Sequence, residues 1–299
     1  MARREILEVP YRPAEGYGLD VELFTLTELW KRAALHLGQA QRVEFHLVVL
    51  VTHGRAPYMV DFVDHACAPG SVVVVQPGQV QRFVPALTAL RGWLLIFRPA
   101  LLGAAATADV DTLHVGRRLA ELAPHRRLGG EDRRAVAEAL QRMARDARLG
   151  VSAAERHALL RHQISALIVR LHLADRRGAP PDEAAPVVVE RYRRYREAVE
   201  RDLLTRHHVQ DYARLLGCSP KSLSRATQEL TGLGAQQYLA RRRALEAQRL
   251  LARTSLPVAQ VADRLGFDEA TNFVKFFRRE AGCTPTEFRR TQGGPAQEG

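Results

Sequence analysis

One nine-residue phrase occurs twice in the last hundred residues, and few architectures accommodate that. Val209-Gln-Asp-Tyr-Ala-Arg-Leu-Leu-Gly217 matches Val258-Ala-Gln-Val-Ala-Asp-Arg-Leu-Gly266 at an offset of 49, read from Gly217 to Gly266. Past the glycine the offset is 50: Arg225 matches Lys275, Gly232 matches Gly282 and Tyr238 matches Phe288. One extra residue in the second turn explains the step. A single apolar helix ending at glycine is common among unrelated proteins. Two in one register tie this part of the chain to a duplicated unit.

The second copy, Leu256 to Arg290, reads as helix, turn, helix and a closing Thr-Pro stop signal. Pro257 suits the first helical position, where its missing N–H costs nothing. Val258, Val261, Ala262 and Leu265 form an apolar face at helical spacing. Gly266 supplies a tight turn, Asp268 or Glu269 can cap the next helix, and Phe273, Phe276 and Phe277 are its expected buried side. This is a helix-turn-helix pattern, whose second helix enters the DNA major groove.

Charge agrees with that reading, once its distribution is considered. The 299-residue chain carries +11 with a pI near 10.3, but only three of its 44 basic residues are lysines, so the arginine preference runs through the whole chain. From Val187 onward there are 20 basic and 13 acidic residues, a net of +7 in just over a third of the length. Cys67, Cys218 and Cys283 are odd in number and far apart, with no Cys-x-x-Cys spacing, which points to neither a disulfide framework nor a zinc site. The first residues lack an apolar signal region and no run reaches membrane-spanning length, so a reducing cytoplasm is the expected location.

Residues 1 to about 20 are punctuated by Pro and Gly and are expected to be partly irregular. From Val21 to about Phe97 the pattern is β. Runs at Val21–Leu26, Glu44–Val51, Tyr58–Val63, Ser71–Val75 and Trp93–Phe97 are separated by turn signals at Gly54, Pro69-Gly70, Pro77-Gly78 and Gly92. A helix over Leu26–Leu37 interrupts them. Leu101 to Gly178 turns helical: Asp132–Leu149 has its apolar side at Val136, Leu140 and Met143, and Ser152 with Glu155 makes a capping box for a second helix. In that helix Leu160, Ile164, Leu167, Ile168 and Leu171 form a seam, suited either to packing on the barrel or to an antiparallel contact between two copies. Residues 176–186 are a Pro/Gly-rich linker. Beyond it, Glu190–Thr205 should bury Tyr192, Tyr195, Val199, Leu203 and Leu204. Gln237–Arg253 joins the repeats, burying Leu239, Leu245 and Leu250 and turning Arg241, Arg242, Arg243 and Arg249 outward.

At the level of whole motifs the C-terminal hundred residues resemble the AraC/XylS family of bacterial transcription regulators. The likeness rests on both helix-turn-helix units, Arg243…Ala247…Leu250-Leu251 of the central helix, and the final Gly266-Phe267…Phe277…Gly282-Cys-Thr-Pro285…Phe288-Arg289. The N-terminal half is similar to the cupin-like sensor domain of many members, through Val60-Asp-Phe…Pro69-Gly…Pro77-Gly-Gln-Val. Where metal-binding cupins carry a histidine three residues after that last glycine, this chain has Gln81. His46 and His53 lack the paired spacing and glutamate of the other cupin motif, so no metal is expected. His46 is expected to be a strand histidine with its partner in the barrel.

The resemblance implies a multidomain α+β protein. Residues 1–105 would be a cupin-like antiparallel β-barrel sensor, 106–178 a helical dimerisation or packing region, and 179–189 a linker. Residues 190–292 would be the all-α DNA-binding domain with two helix-turn-helix units, and 293–299 a disordered tail. Both recognition helices would enter successive major-groove faces, so that one monomer reads two short boxes. Carried over position by position, the first reader offers Lys221, Ser222, Ser224 and Arg225, and the second Ala270, Thr271, Asn272, Val274 and Lys275. Arg225 and Lys275 suit guanine or phosphate, Asn272 adenine, and Val274 or Ala270 a thymine methyl. Thr227 stands where a phenylalanine is usual.

The expected function is a sequence-specific DNA-binding transcription regulator, an activator by family habit, gated by a small-molecule effector in the barrel. Its partners would be promoter DNA, RNA polymerase and a second copy of itself, with no membrane, no cofactor and no enzymatic activity. Effector-site candidates are His46, Tyr58, Gln81, Arg82 and Trp93, without a register to separate inward from outward. Two other readings stay open: a cupin-type metal enzyme with a helical accessory domain, and an architectural DNA-binding protein of weak specificity.

Overall fold

The computed structural model describes residues 6–13, 17–33, 38–83, 90–102, 110–176 and 186–292. The chain divides into two compact units, one within residues 6–181 and the other within 182–299. It is a mixed α+β protein with sheets in the first unit and helices alone among the described residues of the second.

The first unit holds two five-stranded sheets. Its strands are β1 (Leu7–Val9), β2 (Val21–Thr25), β3 (Gln41–Val43), β4 (His46–His53), β5 (Ala56–Val60), β6 (Val63–Cys67), β7 (Ser71–Val75), β8 (Val80–Phe83), β9 (Arg91–Phe97) and β10 (His125–Arg127). One sheet runs β1-β3-β8-β5-β6 and the other β10-β7-β4-β9-β2; only β1 and β3 pair in parallel. The inner faces meet in a core of Val43, Tyr58, Val60 and Phe83 against Leu47, Val49, Val73, Val75 and Leu94. The second sheet is also covered behind. Val48, Leu50, Val72, Val74, Leu95 and Phe97 pack on α2 (Val110–Glu121), α3 (Gly130–Asp146) and α4 (Ala153–Arg176). Burial on both faces is why Ser71–Val75 is apolar without alternation.

Several expectations change here. Tyr58–Val63 is a hairpin rather than one strand: Asp61 and Phe62 take φ of 47° and 67°. The Asp61 carboxylate stabilises the turn by accepting from the Val80 amide at 3.0 Å and from Gln79 Nε2 at 2.7 Å. Gly92 separates nothing. It lies inside β9 opposite the bulge of β4, where a Cβ would meet the Leu50 carbonyl oxygen at 1.9 Å, so the backbones approach as only glycine permits. Strands β1, β3 and β10 lie where no alternating pattern marks them; three residues are too few for a period. The helix expected over Leu26–Leu37 is α1 (Leu26–Ala33), and residues 34–37 lie outside the described ones, as does the tail 293–299.

The α4 seam is occupied within the unit. Leu160, Ile164, Leu167, Ile168 and Leu171 are at most 2% exposed in the core beneath the second sheet, so no contact between copies can use them. The capping box that starts α4 is present: Glu155 accepts from the Ser152 amide at 3.0 Å and donates its own amide to Ser152 Oγ at 3.2 Å.

The second unit comprises α5 (Pro186–Asp202), α6 (Val209–Leu215), α7 (Pro220–Thr231), α8 (Ala235–Arg253), α9 (Val258–Arg264), α10 (Ala270–Ala281) and α11 (Pro285–Gln292). Tyr195, Val199 and Leu203 of α5 and its C-terminal end are buried as expected, but Leu204 is exposed. Among the described residues no helix is long and apolar enough to cross a membrane.

Candidate nucleic-acid interface

Ser219-Pro220 starts α7 in the way the chemistry of helix ends prescribes. The Ser219 hydroxyl accepts from the Ser222 amide at 3.1 Å, and Pro220 follows where no intrahelical N–H is needed. Thr284-Pro285, read above as a stop, does the same for α11: the Thr284 hydroxyl accepts from the Glu287 amide at 3.2 Å, and Glu287 accepts from the Thr284 amide at 2.8 Å. The supposed stop is a capping box opening one more helix. By contrast Pro257 sits at the N-cap of α9, and Glu269 caps α10 by position without a side-chain hydrogen bond.

The apolar face of α7 buries Leu223, Ala226 and Thr227, leaving Lys221 and Arg225 exposed and Ser222 partly so. Ser224 is half-buried, its Oγ accepting from the Ala235 amide at 3.3 Å, which fastens α7 to the start of α8. On α10, Phe273, Phe276 and Phe277 are buried. Thr271, Asn272 and Lys275 are exposed, and Ala270 and Val274 partly so. Lys221, Arg225 and Lys275 make no ion pair among the described residues. Elsewhere in the unit Arg193, Arg206, Arg242 and Arg249 are each paired with a carboxylate.

Helix α8, 19 residues and so about 28 Å long, carries both pairs. At its start the Tyr195 hydroxyl donates to the Ala235 carbonyl at 2.9 Å. At its end the buried Arg289 donates to the carbonyls of Leu251 at 3.2 Å and Leu256 at 2.6 Å. The outward arginine face expected on α8 is mostly committed to the protein itself. Arg242 binds Glu200 at 2.6 Å, Arg249 binds Glu246 at 3.3 Å, and only Arg241 of the four is exposed. Arg243 turns inward, donating to the Leu265 carbonyl with its guanidinium carbon 4.3 Å from the Phe267 ring centroid. A helical stripe of arginines cannot by itself disclose which ones fold back onto a turn 22 residues away. The Arg-to-Phe267 pairing is the part of this site that residue-by-residue reading missed.

In the first unit the effector candidates separate by face. Tyr58 and Gln81 point between the sheets and join Gln41 in a buried ladder: the Tyr58 hydroxyl donates to Gln81 Oε1 at 2.9 Å, and Gln81 Nε2 donates to Gln41 Oε1 at 2.7 Å. Arg82 lies on the opposite face of that sheet, 4.0 Å from Asp64. His46 and Trp93 belong to the helix-covered side of the other sheet. His46 has a ring as its partner rather than a hydrogen bond: it stacks on Phe97 at 4.9 Å, and burial pulls its pKa down to about 4. Among the described residues no group of three or more His, Cys, Asp or Glu is arranged to hold a metal ion.

Comparison with known proteins bears on the second unit. Residues 212–291 match the model of a helix-turn-helix domain. The chain is 39% identical over 72 residues to the HTH-type transcriptional activator RhaR of Enterobacter sp. (strain 638), covering 24% of this chain and 26% of that protein. It is 35% identical over 85 residues to RhaS of the same strain, 28% of this chain and 31% of that one. The chain thus spans only about a quarter to a third of the curated relatives it matches. The C-terminal domain of AraT, a response regulator from Geobacillus stearothermophilus, is similar at 29% identity with a TM-score of 0.33, covering 36% of this chain and 88% of that one.

Proposed function

Residues 212–291 are a helix-turn-helix domain of the AraC type, and from that premise we propose that the whole protein is a sequence-specific DNA-binding transcription regulator. The observation that carries the proposal is the repeated helix pair at the two ends of one rigid helix. Each pair leaves cationic side chains without an ionic partner on its second helix. Two such readers held on one helix suit two boxes separated by roughly one helical turn of DNA. We take both pairs as helix-turn-helix units and the paired sheets as a cupin-like sensor barrel. The domain limits follow the sequence: sensor to residue 105, helical region to 178, linker to 189, DNA-binding domain to 292.

In this reading Arg225 and Lys275 address guanine or phosphate, Asn272 adenine, and Ala270 or Val274 a thymine methyl, with Lys221, Ser222 and Thr271 alongside. Ser224 contributes through the placement of α7. Promoter DNA, RNA polymerase, a second copy and a small effector are the partners, activation the regulatory sign, and the bacterial cytoplasm the location. The experiment is a gel-shift titration on a promoter recovered by genome-wide footprinting. Arg225→Ala and Asn272→Ala each weaken specific binding by about 1–3 kcal/mol and relax preference at one base. Variants that bind cognate and scrambled DNA as the parent does would show the reader assignment to be wrong.

A further inference from the structure

The turn glycines of the two helix pairs, Gly217 and Gly266, share a left-handed backbone, with φ of 64° and 71°. Their surroundings differ. Nothing lies within 4 Å of the point where a Cβ on Gly217 would stand. On Gly266 that point is already filled by the ring of His207, with Cδ2 at 2.1 Å and Nε2 at 2.2 Å. His207 precedes α6 and belongs to the first pair. The two pairs therefore touch directly, besides being joined through α8.

The same turn is held a second time. Arg243 of α8 donates to the Leu265 carbonyl and lays its guanidinium over Phe267. His207, Arg243 and the turn Leu265–Phe267 form one clasp. The His207 Nδ1 is buried with no hydrogen-bond partner, so the ring acts there by shape. Without the clasp the pairs would be related through α8 alone. The second pair also packs on α8 through α9, α10 and α11, so the ring adds a direct contact from the first pair to an angle that α8 otherwise sets by itself.

We propose that His207 is a positioning residue for two-box recognition: seated on Gly266, it fixes the angle between the two pairs and so sets the base-pair spacing the protein accepts. The proposal rests on the reading that α7 and α10 both enter DNA. Gly266 is glycine for two reasons, its backbone conformation and the ring it must admit; Gly217 has only the first.

The test uses the full chain and its footprinted promoter, in versions with one base pair added or removed between the boxes. Each such change rotates and shifts one box against the other, so the parent is expected to lose about tenfold or more in affinity. His207→Ala is expected to bind the native spacing more weakly and to separate the three versions by less than about threefold, because one reader can then follow its box. His207→Gln, which keeps a planar group of similar reach, should restore discrimination. Spin labels on unnatural residues at Gln228 and Arg278 provide a readout without DNA: the distance distribution is narrow in the parent and broad in His207→Ala. Should the alanine variant fail to fold, His207→Ser takes its place in both measurements. Unchanged spacing discrimination and an unchanged distance width in the variant would overturn the proposal while leaving two-box binding intact. A parent without sequence preference would instead overturn the two-box reading, and the spacing role with it.

Discussion

The two helix pairs have one backbone plan and two different interiors. The first is closed by tyrosines. Tyr195 meets Tyr212 and Tyr238 at 5.5 and 5.7 Å, and the Tyr195 and Tyr212 hydroxyls reach the carbonyls of Ala235 and Arg206, each at 2.9 Å. The second is closed by phenylalanines: Phe267, Phe273, Phe276, Phe277 and Phe288 stand in a chain of ring contacts between 5.0 and 5.8 Å. The contrast is sharpest at Thr227, which the sequence repeat places against Phe277. Both are fully buried, yet Thr227 satisfies its hydroxyl by donating to the Leu223 carbonyl at 2.9 Å. One interior is tied by directional bonds to named carbonyls, the other by apolar area. A repeated sequence can keep its backbone while exchanging what holds it, provided each buried polar atom finds a partner.

That contrast can be broken by mutation, and the largest effect should come from the aromatic side. Phe277→Ala removes a fully buried ring and is expected to cost about 3–5 kcal/mol. Thr227→Ala at the matching position should cost about 1 kcal/mol, a hydrogen bond and a methyl. Urea titrations of the two variants measure both, and equal losses would erase the distinction drawn here. Next come the glycines. Gly217→Ala should cost about 1–2 kcal/mol for its left-handed backbone alone. Gly266→Ala should cost about 1–3 kcal/mol more, because the new methyl displaces His207.

The third effect depends on pH. Burial holds the His207 imidazole below its usual range, and the positive charges of Arg243 on α8 and His208 in its own loop add to this against Asp211 of α6. What the neutral ring contributes is complete above the unfolded pKa near 6.5 and is lost as pH falls from there toward the lower folded value. Specific DNA binding should therefore weaken on acidification in the parent and do so less in His207→Gln; parallel pH profiles would argue against the clasp. Smallest is Tyr212→Phe, expected to cost about 1 kcal/mol through loss of the bond to Arg206. Thermal unfolding would detect it, and a silent variant would show that the first interior is held by ring area as the second is.

Legibility in the sequence followed period and end chemistry. Helices long enough to show a 3.6-residue repeat were readable, including the buried faces of α3 and α4 and the Phe273, Phe276, Phe277 side of α10. The exposed faces of α7 and α10 could be placed by the same logic, since Arg225, Asn272 and Lys275 fall between buried positions. Strands of three residues, β1, β3 and β10, offer no period to read. The turn at Asp61–Phe62 was hidden because valine and phenylalanine continue a strand pattern through it. Polar residues escaped most often: Ser224, Arg243 and Arg289 look solvent-facing in one dimension and are spent on backbone carbonyls or amides.

The sequence by itself determined the duplicated helix pairs, the all-helical second half, the β-rich first half and the cationic excess of the second half. These depend on neighbours within a few residues, and on a repeat that composition cannot counterfeit. Only the tertiary structure decided that the α4 seam is filled from within, that His46 and Trp93 face helices rather than the space between the sheets, and that His207 rests on Gly266. Those outcomes hang on residues that come together across the fold, His207 and Gly266 being 59 positions apart in the numbering. A contact at that separation is fixed by packing, and no local pattern encodes it.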